Sequence, residues 1–249
     1  MPVNLNSLGD IQDLSSGEFW PASRLSGEVA KRASALIALG VKPKDKILIL
    51  HGGSPSFFAD LLSTWVIGGC AVCLNPALSS IEISNISTFV KPRLCLINKN
   101  SHRSDFPGID YIDNSSAGST GSTLFDPLAT QSELDDPALI LFTSGTTGKP
   151  KGVVQTFRSL FARIALNQNF ISKEHLAVTL SPLPTHFGHG LIGNSLTPLL
   201  SGNKLILMQG SDINSMIKLG DIVDKHKISF MSSNYRTTRN QIISKFIFY

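Results

Sequence analysis

Leu141-Phe142-Thr143-Ser144-Gly145-Thr146-Thr147-Gly148-Lys149-Pro150-Lys151-Gly152 continues a short apolar run, Ala138 to Phe142, and precedes a helical pattern from Phe157 to Asn169. Between Thr143 and Gly152 stand four hydroxyls, three glycines and two lysines. Glycine lets backbone N–H groups approach an anion closely and permits positive φ. Thr and Ser hydroxyls add rotatable donors, and lysine adds point charge for phosphate. Charge-assisted hydrogen bonds of this kind contribute roughly 1.5–3 kcal/mol each, so several together would hold a polyphosphate. The spacing is not that of the Walker loop: Gly148-Lys149 is followed by Pro150, and Gly145 stands only three residues before Gly148. The stretch contains no G-x-G-x-x-G either. A plain Gly/Ser/Thr-rich turn joining strand to helix is the competing reading. The density of donors and the two lysines favour an anion site.

On either side, strand and helix patterns alternate. Leu25, Val29, Ala33, Leu36 and Ile37 share one helical face, with Lys31, Arg32 and Ser34 off it, and Gly40 reads as a stop. Lys46–His51 is a buried strand, Phe57 to Trp65 a helix, Cys70–Leu74 a strand, and Arg93–Ile97 a strand; between the last two, Ser79 or Ser80 with Glu82 or Ser84 nearby suggests a capped helix to about Val90. Residues 98–137 are polar and turn-rich, and Asn114 to Thr123 reads as a flexible connector. Beyond Asn169 come a strand at Leu176–Ser181, a helix near Leu191–Leu200, a strand at Lys204–Met208, a helix at Ile213–His226 and a strand at Ile228–Met231. This alternation predicts an α/β fold: mainly parallel sheets covered by helices on both faces. No internal repeat is present.

Composition narrows the function. The 249 residues carry 22 Lys+Arg against 18 Asp+Glu, a net charge of +4, with 42% hydrophobic and 16% charged residues. That excludes a disordered chain and a disulfide scaffold. No basic run reads as a nucleic-acid arm. The N-terminus has no secretory signal, and no apolar stretch reaches the ~20 residues of a membrane span, so a cytoplasmic protein is expected. Cys70 and Cys73 form a C-x-x-C inside an apolar strand. Residues three apart there face opposite sides and cannot share a metal, so Cys70, Cys73 and Cys95 read as core thiols.

The stretch from Leu141 to Gly152 resembles, nearly letter for letter, the phosphate-binding signature of the AMP-forming adenylating enzymes: acyl-CoA synthetases, peptide-synthetase adenylation domains and luciferases. Leu25–Asp45, Trp65–Pro76 with Gly68-Gly69 and Asn75-Pro76, and Pro182–Leu191 resemble further family segments in order. The resemblance runs from about residue 20 to about residue 232. It implies a two-step reaction. A carboxylic acid attacks the α-phosphate of ATP to give an acyl-adenylate, and a thiol then takes the acyl group, either coenzyme A or the pantetheine of a carrier protein. By the same resemblance Thr143, Ser144, Gly145, Thr146, Thr147, Gly148 and Lys151 grip the nucleotide phosphates, with Mg²⁺ spreading their charge. His186 would lie by the acyl carboxylate or line the acyl pocket; a structural histidine and a metal ligand are its other readings. His189 and Lys149 take no firm role.

The family also expects a Val-Pro segment, a Gly-rich adenine loop with a Thr-Glu pair, a ribose-holding Asp, a hinge and a small C-terminal domain with a catalytic Lys. None follows Met231, and no Thr-Glu pair occurs in the chain. Residues 1–249 are therefore expected to be an incomplete N-terminal part of the large AMP-binding domain, with a connector at about 98–137 and the small domain absent. The alternative expectation is a catalytically inactive fragment, or one half of a split enzyme complemented by a C-terminal polypeptide, keeping only the polyphosphate loop.

Overall fold

The structure, a computed structural model, describes residues 3–98, 110–113, 132–143, 151–208 and 219–232. It divides into two compact units. The first takes in residues 26–52 and 56–161, and the second residues 5–25, 53–55 and 162 onward.

In the first unit the strands are β3 (Lys46–Ile49), β4 (Cys70–Cys73), β5 (Leu94–Ile97), β6 (Tyr111–Asp113), β7 (Pro137–Thr143) and β8 (Lys151–Thr156). Among the described residues they form one sheet in the order β6-β5-β3-β4-β7-β8. All neighbours are parallel except β7 and β8, which are antiparallel. Helix α1 (Ala22–Ala38) precedes β3, α2 (Pro55–Val66) and α3 (Ser80–Val90) connect β3 to β4 and β4 to β5, and α4 (Phe157–Phe170) follows β8. On one face Leu48, Val72, Cys95 and Ile140 pack with Ile83, Ile86 and Val90 of α3. The alternate strand residues Ile47, Ile49, Ala71, Cys73, Leu94 and Leu96 are buried too. Both faces are therefore covered, as parallel strands without polar alternation require.

Local chemistry sets the helix ends. Ser79 and Glu82 form a reciprocal capping box at the start of α3. At the end of α1, Gly40 (φ 78°) donates to the Ile37 carbonyl and Val41 to that of Leu36, with Leu36 and Val41 both buried. This is the glycine-terminated stop expected from the sequence. Trp65 Nε1 donates to the Ala138 carbonyl at 2.7 Å, tying α2 to β7.

The second unit holds β1 (Ile11–Asp13), β2 (Phe19–Trp20), β9 (Val178–Ser181), β10 (Lys204–Leu207) and β11 (Phe230–Met231). Their order among the described residues is β11-β9-β10-β1-β2, with only β1–β2 antiparallel. A π-helix, His189–Leu196, runs into the single turn α5 (Thr197–Leu199), and α6 (Leu219–His226) precedes β11. Leu180, Ile206, Met208, Leu219, Ile228 and Met231 form a core on one face.

Several expectations are corrected. The Leu141–Gly152 stretch does not pass from strand to helix: β8 intervenes, an edge strand whose Val153 and Val154 face solvent, which is why it lacks an apolar signature. The helix expected at Leu191–Leu200 is π-helical for most of its length. The strands β1, β2 and β6 are too short for periodicity to reveal. Arg32, read as off the apolar face of α1, is buried, because Asp60 and Ser56 supply partners for its guanidinium. Of the helix expected at Ile213–His226, the part before Leu219 lies outside the described residues. Most of the expected connector, including Asn114–Thr123, does so too.

Candidate functional site

In an open α/β sheet, ligands collect beyond the carboxyl ends of the parallel strands. Thr143 ends β7, which runs parallel to β4, and so lies at that edge of the first unit. Across the β7–β8 pair Thr143 faces Lys151 and Phe142 faces Gly152. Thr143 and Lys151 are both exposed. A Cβ on Gly152 would meet the Ile140 side chain and the Phe142 ring, each at 3.3 Å, so glycine keeps the ribbon flat against its neighbour there. The far end of the ribbon is anchored. Asp136 accepts from the Glu133 N–H and pairs with Lys44 at 3.0 Å, and its carbonyl accepts from the Phe157 N–H. That pairing lowers the Asp136 carboxyl below its usual range and raises the Lys44 ammonium, the hydrogen bond between them being the main cause in each case.

Two of the expected phosphate residues, Thr143 and Lys151, are thus brought side by side. Ser144, Gly145, Thr146, Thr147 and Gly148 lie outside the described residues. The described pair places a hydroxyl and a lysine side chain at neighbouring, exposed points across the two strands.

His186 belongs to the second unit, in the loop after β9. It is half-buried beside Phe187, ring centroids 4.6 Å apart, and burial lowers its pKa below the usual imidazole value. The preceding Thr185 Oγ1 accepts from the Gly53 N–H at 3.2 Å. The following run Gly188-His189-Gly190-Leu191-Ile192-Gly193 has the glycine spacing of a dinucleotide fingerprint, which the sequence reading passed over. The structure gives it another role. It lies in the π-helix rather than in a tight turn directly after a strand, and a Cβ on Gly190 would come within 2.4 Å of the Pro184 carbonyl oxygen.

A buried ionic network in the first unit also escaped sequence reasoning. His51 Nε2 lies 2.8 Å from Asp60 Oδ2, and Arg32 NH1 lies 2.8 Å from Asp60 Oδ1. Arg32 further donates to the Ser56 carbonyl and hydroxyl, each at 2.8 Å. The lone acid in the apolar run Phe57–Trp65 was its only signal. The three cysteines are free and buried, with Cys70 and Cys73 on opposite faces of β4. Among the described residues no three His, Cys, Asp or Glu side chains gather as metal ligands, and no helix is long and apolar enough to cross a membrane.

Comparison with known proteins bears on the whole arrangement. The family model for the AMP-binding enzyme matches residues 16–240. The chain is 33% identical over 172 residues to a malonate–CoA ligase of Arabidopsis thaliana, covering 62% of this chain and 28% of that protein. It is 27% identical over 223 residues to 4-coumarate–CoA ligase 3 of the same plant, covering 79% and 38%. Among solved structures, the o-succinylbenzoate coenzyme A synthetase of Bacillus subtilis in complex with AMP shares the fold. Its TM-score is 0.76 at 21% identity, covering 89% of this chain and 57% of that one. The chain thus spans well under half of these plant ligases and somewhat over half of that synthetase. With that model matched over most of its length, the chain belongs to the AMP-binding enzyme family.

Proposed function

We propose that this chain serves an AMP-forming acid–thiol ligase. In the first step a carboxylate oxygen of the acid attacks the α-phosphorus of ATP. A new P–O bond forms, the bond to the β-phosphate breaks, and pyrophosphate leaves. In the second step a thiol sulfur takes the acyl carbon, AMP departs, and the thiol proton passes to solvent. Coenzyme A or a carrier-protein pantetheine is the acceptor. Two relatives named as acid–CoA ligases support this reading, as do the plipastatin synthase subunits among the matches.

The observation that carries it is the ribbon end, where Thr143 and Lys151 are paired across two strands and flank Ser144, Gly145, Thr146, Thr147 and Gly148. In the proposed role these groups take the β- and γ-phosphate oxygens of ATP, whose Mg²⁺ arrives as part of the nucleotide substrate. Adenylation needs little covalent help. It needs phosphate charge neutralised and the acid held in line, which preorganised donors supply. His186, whose partial burial lowers its pKa below the usual imidazole value and so favours the neutral ring, is assigned to the acid: a neutral imidazole N–H can orient a carboxylate without clamping it as an ion pair would.

The test is binding of MgATP and of inorganic tripolyphosphate to the chain by calorimetry. Lys151→Ala is expected to weaken both by roughly 10-fold or more, the loss of one charge-assisted hydrogen bond. Equal affinity in the wild type and Lys151→Ala would remove the phosphate role.

A further inference from the structure

The π-helix His189–Leu196 lies in the second unit between the loop after β9 and α5. In an α-helix, residues five apart point about 140° away from each other, because a turn takes 3.6 residues. A π-helix bonds each N–H to the carbonyl five residues back, and its wider turn brings residues five apart much closer to one face than an α-helix does. Three donors here follow that register. The Thr197 N–H and its Oγ1 both go to the Ile192 carbonyl, and Ser195 Oγ goes to that of Gly190 at 2.8 Å. Ser195 Oγ also lies 3.1 Å from Ser181 Oγ at the end of β9, fastening the wide turn to the sheet.

His189 and Asn194 are such a pair, five apart. His189 Nε2 lies 2.8 Å from Ser232 Oγ, and the buried Asn194 donates from Nδ2 to the Ser232 carbonyl. Ser232 is the residue directly after β11, which neighbours β9 in the sheet. An α-helical turn would aim only one of the two side chains at it. We propose that His189 and Asn194 are a positioning pair, a two-point clasp on Ser232 that the π-turn exists to form. It fixes where the chain leaves β11, beside the loop that carries His186. The inference rests on the ligase reading for its purpose, since that edge of the sheet is where the acid is expected, but the clasp itself is a property of the ligand-free chain.

The experiment is amide hydrogen exchange on the 249-residue chain, comparing the wild type with Asn194→Ala, His189→Ala, His189→Gln and Ser232→Ala. Either alanine change at the clasp should speed exchange at Phe230–Ser232 by roughly 5–10-fold, the loss of one net hydrogen bond, and leave β5 in the other unit unchanged. Gln places an amide nitrogen near the position of His Nε2, so His189→Gln should return to within about twofold of wild type, a rescue that loss of helix packing alone would not give. In a Ser232→Ala background, His189→Ala should add nothing while Asn194→Ala still acts, because Asn194 bonds the backbone carbonyl. Unchanged exchange at Phe230–Ser232 in both alanine variants overturns the clasp, as does faster exchange throughout both units. Tripolyphosphate binding, which tests the ligase reading through Lys151, is expected to be the same in all four variants, so the two ideas fail separately.

Discussion

Asp60, His51 and Arg32 are inside because the Asp60 carboxylate meets the Arg32 guanidinium and the His51 ring nitrogen, each at 2.8 Å. The buried cysteines stay as neutral thiols. Burial pushes the Cys70 and Cys95 thiols up to about 12 and raises Cys73 as well. The folded chain therefore keeps protons that the unfolded chain releases above a pKa of about 8.5. Stability from this source is complete below that pH and is lost as pH rises toward about 12. We expect the urea midpoint to fall from pH 8 to pH 11. Replacing the fully buried Cys95 by alanine should lower the starting stability yet flatten the decline, by up to about 1.4 kcal/mol per pH unit. A decline of equal slope in the wild type and Cys95→Ala would show that this thiol ionises alike in both states.

Among the elements, α3 shows how far a few residues specify structure. Ser79 accepts from the Glu82 N–H, and the Glu82 carboxylate accepts from the Ser79 N–H and hydroxyl. Those bonds, the backbone one foremost, hold the Glu82 carboxyl below its usual range. Ser79→Ala should cost about 1 kcal/mol in denaturant unfolding at pH 7. The Glu82 share of the cap is present above its unfolded pKa and fades as pH falls through the lower folded value, so the gap between variants should narrow in acid. A gap that stays constant to pH 2 would assign the cap to the serine alone. This helix was legible in the sequence because its cap is local chemistry, and the buried strands β3, β4 and β5 were legible because both their faces are apolar. β8 was not, since Lys151-Gly152-Val153-Val154-Gln155-Thr156 is held by pairing with β7 and not by burial. Nor was the π-turn: apolar periodicity around Leu191–Leu200 reports a helix without fixing its pitch. At the candidate site the residue types at Thr143 and Lys151 were readable, but their apposition across a ribbon arises from that unseen strand.

For the molecule as a whole, β8 matters differently. Among the described residues it is one of the two edges of the six-stranded sheet, with Val153 45% and Val154 53% exposed on its two faces. An edge with apolar side chains and unpaired backbone groups invites pairing with another chain. Val154→Lys is expected to lower concentration-dependent light scattering severalfold while leaving the melting temperature nearly unchanged. Scattering that does not respond would place the sticky surface elsewhere.

The pairing of Thr143 with Lys151 has a consequence for how such an enzyme can be altered. Because the β7–β8 pairing holds Thr143 opposite Lys151, the two attachment points of the intervening residues are fixed by the sheet. A segment of different length or lettering could be grafted between them at small entropic cost, each doubling adding only about 0.6 kcal/mol of closure. Affinity for the triphosphate could then drift or be redesigned while the scaffold carrying it stays intact.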